Sequence, residues 1–173
     1  MIPTLASREF WRIALFAIGI ASAPAAYAHE QTTALDSAPI AAPGDPAAFA
    51  DAAKTIDAFH AALSKGDREL ALSFLDGRVQ IYEQGWVERS KTEYASHHVE
   101  SDAKFSAVTT REQTARSGVV IGDLAYVASE GNVSGSFNGK AVDSITLETI
   151  VLRREQGSWR IVHIHWSSRA AKK

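Results

Sequence analysis

Two histidines near the C-terminus are the first residues whose types and spacing suit chemistry. His163 and His165 are separated by one residue in a segment whose composition predicts a β-strand. Side chains two apart on a strand share a face, about 6.5 Å apart along it, here with Trp159 and Ile161. An imidazole can accept or donate a proton at neutral pH. We predict that the pair lines a pocket, with His165 catalytic and His163 a ligand contact; the alternative is that both are structural.

A second group of candidates lies in a predicted helix that contains His97 and His98. Adjacent helical residues diverge by about 100°, so only one of the two histidines can face inward. His98 and Asp102 are four residues apart and share a helix face, where the carboxylate could orient the imidazole. The pattern favours an acid–base role for both. The alternative is an exposed helix end whose histidines interact favourably with the helix dipole.

Two glutamates on predicted strands complete the candidate set. Glu83 continues the alternation of Val79 and Ile81, which places it at the end of an apolar row. A carboxylate in such a partly dry position has a raised pKa and can bind a ligand or act as a base, unless the strand end is simply exposed. Glu148 lies on a mixed face, and we expect it to form a structural cross-strand pair with Arg160 or Arg153.

The same residues admit a metal site as an alternative. His163 and His165, with His98, Asp102 or Glu83, would supply the imidazole and carboxylate ligands used for zinc, iron or copper. The chain has no cysteine, which excludes thiolate ligands and disulfides. No cofactor is predicted, and a divalent metal ion is the alternative that the sequence leaves open.

Composition narrows the classes of function. The chain has 173 residues, 46% hydrophobic and 22% charged, with a net charge of -2. These values are typical of one globular domain. They lack the basic excess expected of a nucleic-acid-binding protein, so no nucleic-acid partner is predicted.

The N-terminus has the pattern of an export signal. Arg8 and Arg12 precede a short apolar run, and Ala26-Tyr27-Ala28 is a cleavage pattern. We predict a signal peptide over residues 1–28, cleaved after Ala28, and a periplasmic or secreted protein without a membrane contact after cleavage. A flexible leader over 29–44, a domain over 45–169 and a basic tail over 170–173 should follow.

The elements that must position the candidate residues form an α+β pattern. Asp45-Pro46 predicts the start of a long amphipathic helix, Asp67 caps a short second helix, and Ser90 to Glu93 is a capping box that begins a third. Long strands follow, with a hairpin at Asn138-Gly139. We therefore expect about three N-terminal helices packed on a curved, mostly antiparallel sheet.

This order of elements, and the final strand above all, resemble a known family. The segment W-R-I-V-H-I-H-W-S (159–167), preceded by Glu148-Thr149 and Arg153-Arg154, resembles the nuclear transport factor 2-like superfamily, in its SnoaL-like, ketosteroid-isomerase-like branch. It is also similar to the calcium/calmodulin-dependent kinase association domain. The likeness covers about residues 45–168. It implies a cone-shaped fold that encloses a pocket, and a homodimer formed through the sheet.

The resemblance does not imply one activity, because a fold hosts many functions. We expect an exported domain that binds a small, partly apolar molecule in a pocket that also includes Tyr94, with isomerase, cyclase or hydrolase-like acid–base activity. A periplasmic metal-binding protein and a non-catalytic dimerisation module are the alternatives. No tyrosine–aspartate pair in a matching context is assigned, so steroid isomerisation is not predicted. Trp166 alternates away from the histidines and is expected on the outer, dimer-forming face.

Overall fold

The computed structural model describes residues 45–172, in which four helices pack against one six-stranded sheet. The predicted signal peptide and leader lie outside the described residues. The helices are α1 (Pro46–Ser64), α2 (Arg68–Ser73), α3 (Lys91–His97) and α4 (Val99–Val108). The strands are β1 (Leu75–Glu83), β2 (Trp86–Glu88), β3 (Thr109–Ile121), β4 (Leu124–Phe137), β5 (Lys140–Glu155) and β6 (Ser158–Ala170).

Side-chain caps begin the first three helices. The Asp45 carboxylate accepts a hydrogen bond from the Ala47 amide at 2.9 Å, and the Asp67 carboxylate accepts one from the Leu70 amide at 3.0 Å. The Ser90 hydroxyl accepts from the amide of Glu93 at 3.1 Å. Each bond satisfies an amide that has no partner within the helix. These three helix starts are as the sequence predicts.

The sheet has the strand order β2-β1-β6-β5-β4-β3. Every neighbouring pair is antiparallel except β1 and β6, so the sheet is mixed. The hairpin between β4 and β5 turns at Asn138 and Gly139, whose φ angles of 51° and 74° suit this tight turn. The predicted α+β class, with helices on a curved and mostly antiparallel sheet, is confirmed.

The hydrophobic core lies between α1 and one face of the sheet, here called the inner face. Ile56 and Phe59 of α1 are fully buried, and so are Ile150 of β5 and Ile164 of β6. No described helix is long and apolar enough to cross a membrane.

The predicted number of helices is nearly right, and the difference lies at α4. The Val- and Thr-containing composition of residues 105–116 predicts a strand, but α4 continues to Val108 and β3 begins at Thr109. His98 separates α3 from α4 with its amide bonded to the Tyr94 carbonyl at 3.0 Å. After this break the two short helices pack differently: α3 contacts β1 and β2, whereas α4 contacts α1, β3 and β4.

Candidate active site

A row of mostly polar residues crosses the inner face next to the apolar core. Residues directly opposite each other on paired strands share a face, so the strand register defines the row. In strand order it consists of Glu83, Trp166, Glu148, Ser129 and Arg116. Its two glutamates lie on β1 and β5, on either side of Trp166, and they have different surroundings.

Glu83 faces a second carboxylate, that of Asp102 on α4. Burial, followed by the negative charge of Asp102, raises the pKa of Glu83 to about 7, against a smaller opposing effect of His98. Burial also raises the pKa of Asp102, although a hydrogen bond from Tyr94 opposes that shift. Two partly buried carboxylates with raised pKa values form an acid pair that can hold or release a proton near neutral pH.

Tyr94 completes this end of the site. Its side chain is buried, and its hydroxyl donates a hydrogen bond to Asp102 Oδ2 at 2.7 Å. This pairing cannot be recognised along the chain, because Tyr94 and Asp102 lie on two separate short helices. Four of the six predicted site residues are brought together here: Glu83, Tyr94, His98 and Asp102.

The two adjacent histidines, one at the end of α3 and one in the break that follows it, differ in exposure. The His98 side chain is 21% exposed and that of His97 is 59% exposed. Nδ1 of His98 is hydrogen-bonded to one oxygen of Glu88, a buried residue of β2. Nδ1 of His97 lies 3.4 Å from the other oxygen of the same carboxylate. Glu88 therefore anchors both imidazoles to the edge strand.

Glu148, at the other side of Trp166, is surrounded by donors. His60 Nε2 lies 2.7 Å from its Oε2, Trp166 Nε1 donates to Oε2 at 2.7 Å, and Arg111 donates to Oε1 at 3.1 Å. Burial alone would raise the pKa of Glu148, but these charges and hydrogen bonds together lower it to about 2. This carboxylate is therefore a fixed negative charge. The predicted pairing with Arg160 or Arg153 is wrong, because Arg153 bonds to Asp76 and Arg160 to the Ser73 carbonyl.

The predicted shared face of His163, His165, Trp159 and Ile161 is wrong. A β-bulge changes the register between β5 and β6, where Leu152 pairs with Ile161 but Val151 pairs with His163. The extra residue reverses the alternation. Trp159 and Ile161 are buried with the core, whereas His165 is exposed and His163 contacts the ring of Tyr82 at 5.3 Å between centroids.

Because of the same bulge, two further predictions are wrong. Trp166 belongs to the inner face, where its ring stacks on Phe59 with centroids 6.3 Å apart, and not to the outer face. His163 and His165 lie on the side of the sheet opposite Glu83, so the predicted metal set that combined them with His98, Asp102 or Glu83 does not converge in the described structure.

Sequence reasoning missed His60, Arg111 and Glu88. His60 is four residues after Ile56 and three before Leu63, so it fits the spacing of the apolar stripe of α1, and this signal could have marked it. Arg111 reaches Glu148 from two strands away, and Glu88 meets its histidines from a three-residue strand. No local sequence pattern encodes those contacts.

Two surface depressions lie away from the acid pair. One, of about 310 Å³, is lined by the start of α1 together with Arg154 and Trp159. The other surrounds the turn between β5 and β6. Neither is lined by Glu83 or Asp102.

The comparisons with known proteins agree with this architecture. Residues 52–171 match the model of the SnoaL-like domain, and the chain belongs to that family. A "putative ketosteroid isomerase" from Shewanella frigidimarina is 39% identical, with a TM-score of 0.64 over 68% of this chain and 94% of that chain. No curated protein matches the chain significantly.

More distant structures show the same fold. A "putative dehydratase" of the nuclear transport factor 2-like family from Streptomyces avermitilis is 24% identical, with a TM-score of 0.60 over 72% of this chain and 98% of that chain. A "putative calcium/calmodulin dependent protein kinase II association domain" from Xanthomonas campestris is 20% identical, with a TM-score of 0.59 over 68% and 84%. The predicted superfamily is confirmed.

Proposed function

We propose that this protein is an acid–base enzyme that binds a small, partly apolar carbonyl compound against the inner face. The observation that carries the proposal is the acid pair: Glu83 has a pKa of about 7 beside Asp102, at the border of an apolar core. A general base works best when its pKa lies near the operating pH. The names of two relatives, an isomerase and a dehydratase, are consistent with proton transfer next to a carbonyl group.

In the proposed reaction, ionised Glu83 removes a proton from the carbon next to the ligand carbonyl. Asp102 is the carboxylate whose negative charge helps to raise the pKa of Glu83, so it is already ionised when Glu83 loses its proton, and its charge makes Glu83 the stronger base. A tyrosine and two carboxylates are the group types that ketosteroid isomerisation employs. Glu83 then returns its proton to the product carbon, which restores the site.

The test is deuterium exchange at the α-carbon of a small cyclic enone in D2O, followed by NMR. The wild-type protein should accelerate exchange, and Glu83→Gln should lower the accelerated rate by about 100-fold or more, because it removes the base. Glu69→Gln, at an exposed position of α2, is the matched control and should leave the rate unchanged. A rate equal to that of buffer, or one unaffected by Glu83→Gln, would contradict the proposal.

Location and assembly are part of the same proposal. The N-terminal pattern supports export to the periplasm or beyond. A homodimer through the outer face of the sheet is supported by apolar side chains there, since Tyr126 is 46% and Leu147 is 52% exposed. Leu147→Glu should convert the dimer to a monomer in light scattering. A monomeric wild-type protein would overturn the dimer while leaving the chemistry of Glu83 untouched.

A further inference from the structure

We propose that Glu88, Glu93 and His97 form a binding site for a divalent transition-metal ion, with zinc as the ion that its donors suit best. One donor atom from each of the three residues lies within 4.8 Å of the other two. The site would lie at the edge formed by β2 and α3, on a different set of residues from the histidine sites expected from the sequence.

The local structure brings these three donors together. Glu93 and His97 are four residues apart on α3 and so share one face of that helix. The Arg89 amide donates to Glu93 Oε2 at 2.6 Å, which fixes the carboxylate and leaves its second oxygen available. Nδ1 of His97 is 3.4 Å from Glu88 Oε2. Two atoms bound to one zinc ion at about 2.1 Å in a tetrahedron are also about 3.4 Å apart.

The burial of Glu88 gives a reason for a cation at this position. Glu88 is only 5% exposed, and the hydrogen bonds found for its carboxylate in the described chain join it to two imidazoles. A buried carboxylate is costly unless an opposite charge compensates it, and an imidazole supplies a full charge only when protonated. A divalent ion held by Glu88 would supply that charge without a proton.

The donor set indicates which ions fit. One imidazole nitrogen and two carboxylate oxygens suit zinc and its first-row neighbours, whereas calcium prefers an all-oxygen shell. The His97 side chain is 59% exposed, so water can complete the coordination shell. The site is therefore open on one side.

The test is titration of the purified, metal-free protein with zinc chloride, by calorimetry and by thermal unfolding. Wild type should bind one zinc ion per chain at this site, and its Tm should rise, because an ion bound only to the native state stabilises it. His97→Ala should lower the affinity by about tenfold or more. Because His97 is exposed, this variant should fold normally; Glu93→Gln, which keeps the oxygen that accepts from Arg89, provides a second test.

His165→Ala is the matched control, because it removes an exposed histidine from the other side of the sheet. Its zinc response should equal that of wild type. The proposal is overturned if wild type shows no zinc response, or if His97→Ala and Glu93→Gln keep it. Loss of the response in His165→Ala alone would assign zinc to the outer face and would also overturn it. None of these outcomes affects the exchange test of Glu83, which is done without metal.

Discussion

Glu83 and Glu148 are the same residue type in the same row of the inner face, yet they hold protons with very different strength. Glu148 receives hydrogen bonds from Trp166 and Arg111 and contacts His60, and its pKa falls to about 2. Glu83 is partly buried and faces another carboxylate, and its pKa rises to about 7. The difference follows from the donors around each carboxylate and from the charge beside it.

The comparison distinguishes a carboxylate that holds the structure together from one that can exchange a proton with a ligand. A carboxylate that stays ionised at every ordinary pH cannot carry a proton between two positions on a ligand. Glu148 instead joins β5 to His60 of α1 and to Arg111 of β3. A carboxylate that changes its ionisation near neutral pH can carry a proton in this way. Trp166 lies between the two glutamates, and its indole Nε1 donates a hydrogen bond to Glu148 and not to Glu83. This bond is one reason why the pKa values of the two carboxylates differ.

Among the substitutions of polar residues, the largest effect on stability should come from the structural glutamate. Glu148→Ala leaves Arg111, Trp166 and His60 without their shared acceptor, so the free energy of unfolding should fall by about 3 kcal/mol at pH 7.5. Urea unfolding measures this change. Glu69→Ala, at an exposed glutamate of α2, should change stability by less than about 0.5 kcal/mol. Equal effects of the two substitutions would remove the distinction between structural and surface glutamates.

Glu83→Gln should raise the free energy of unfolding, by less than Glu148→Ala lowers it, and it should do so only at high pH. The pKa of Glu83 is higher in the folded protein than its ordinary 4.5, so the folded state holds the proton more tightly. Wild-type stability therefore declines as the pH rises from about 4.5 through about 7. At pH 8 the variant should be more stable by about 1–2 kcal/mol, a value discounted for partial solvent access.

The measurement for this variant is urea unfolding at pH 4 and at pH 8. At pH 4 the two proteins should be nearly equal in stability, because Glu83 is then protonated in both the folded and the unfolded chain. A variant that is less stable than wild type at pH 8 would show that Glu83 is held as a stabilised anion, like Glu148.

Tyr94→Phe should cost about 1 kcal/mol of stability, because it removes one hydrogen bond to Asp102. It should also raise the pKa of Asp102 further, since that hydrogen bond lowers it. Thermal unfolding and carboxyl NMR of the same variant measure both effects. An unchanged pKa of Asp102 would mean that the tyrosine is only a packing residue.

His165→Ala should have the smallest effect, below about 0.5 kcal/mol, because its side chain is exposed on the outer face. Ile164→Ala, one residue earlier and fully buried, should cost about 2–5 kcal/mol. Chemical unfolding of both variants tests the bulge directly. A large cost at His165 with a small cost at Ile164 would place the histidines on the inner face.

Local signals predicted most of the fold. The caps at Asp45, Asp67 and Ser90 act within a few residues, and the Asn138-Gly139 turn depends on its own backbone, so each could be recognised along the chain. The inner placement of Glu83 followed from strict alternation within one strand. These features needed no knowledge of the neighbouring strands.

The errors arose where distant segments meet. One unpaired residue at Val162 reverses the faces of His163 and His165, and a bulge is fixed by pairing with β5 and not by local composition. Glu148 finds Arg111 on β3 and His60 on α1, 37 and 88 residues away. Contacts at such separations depend on the assembled sheet, so the pattern of a single strand could not supply them.

The contrast between the two glutamates can be measured directly by NMR titration of the side-chain carboxyl carbons in the protein labelled with ¹³C. Glu83 should titrate at a pH of about 7, and Glu148 should stay ionised down to about 2. The Glu83→Gln and Glu148→Gln variants assign the two signals. A Glu83 signal that titrates near the ordinary value of 4.5 would contradict the proposed acid–base role of this site.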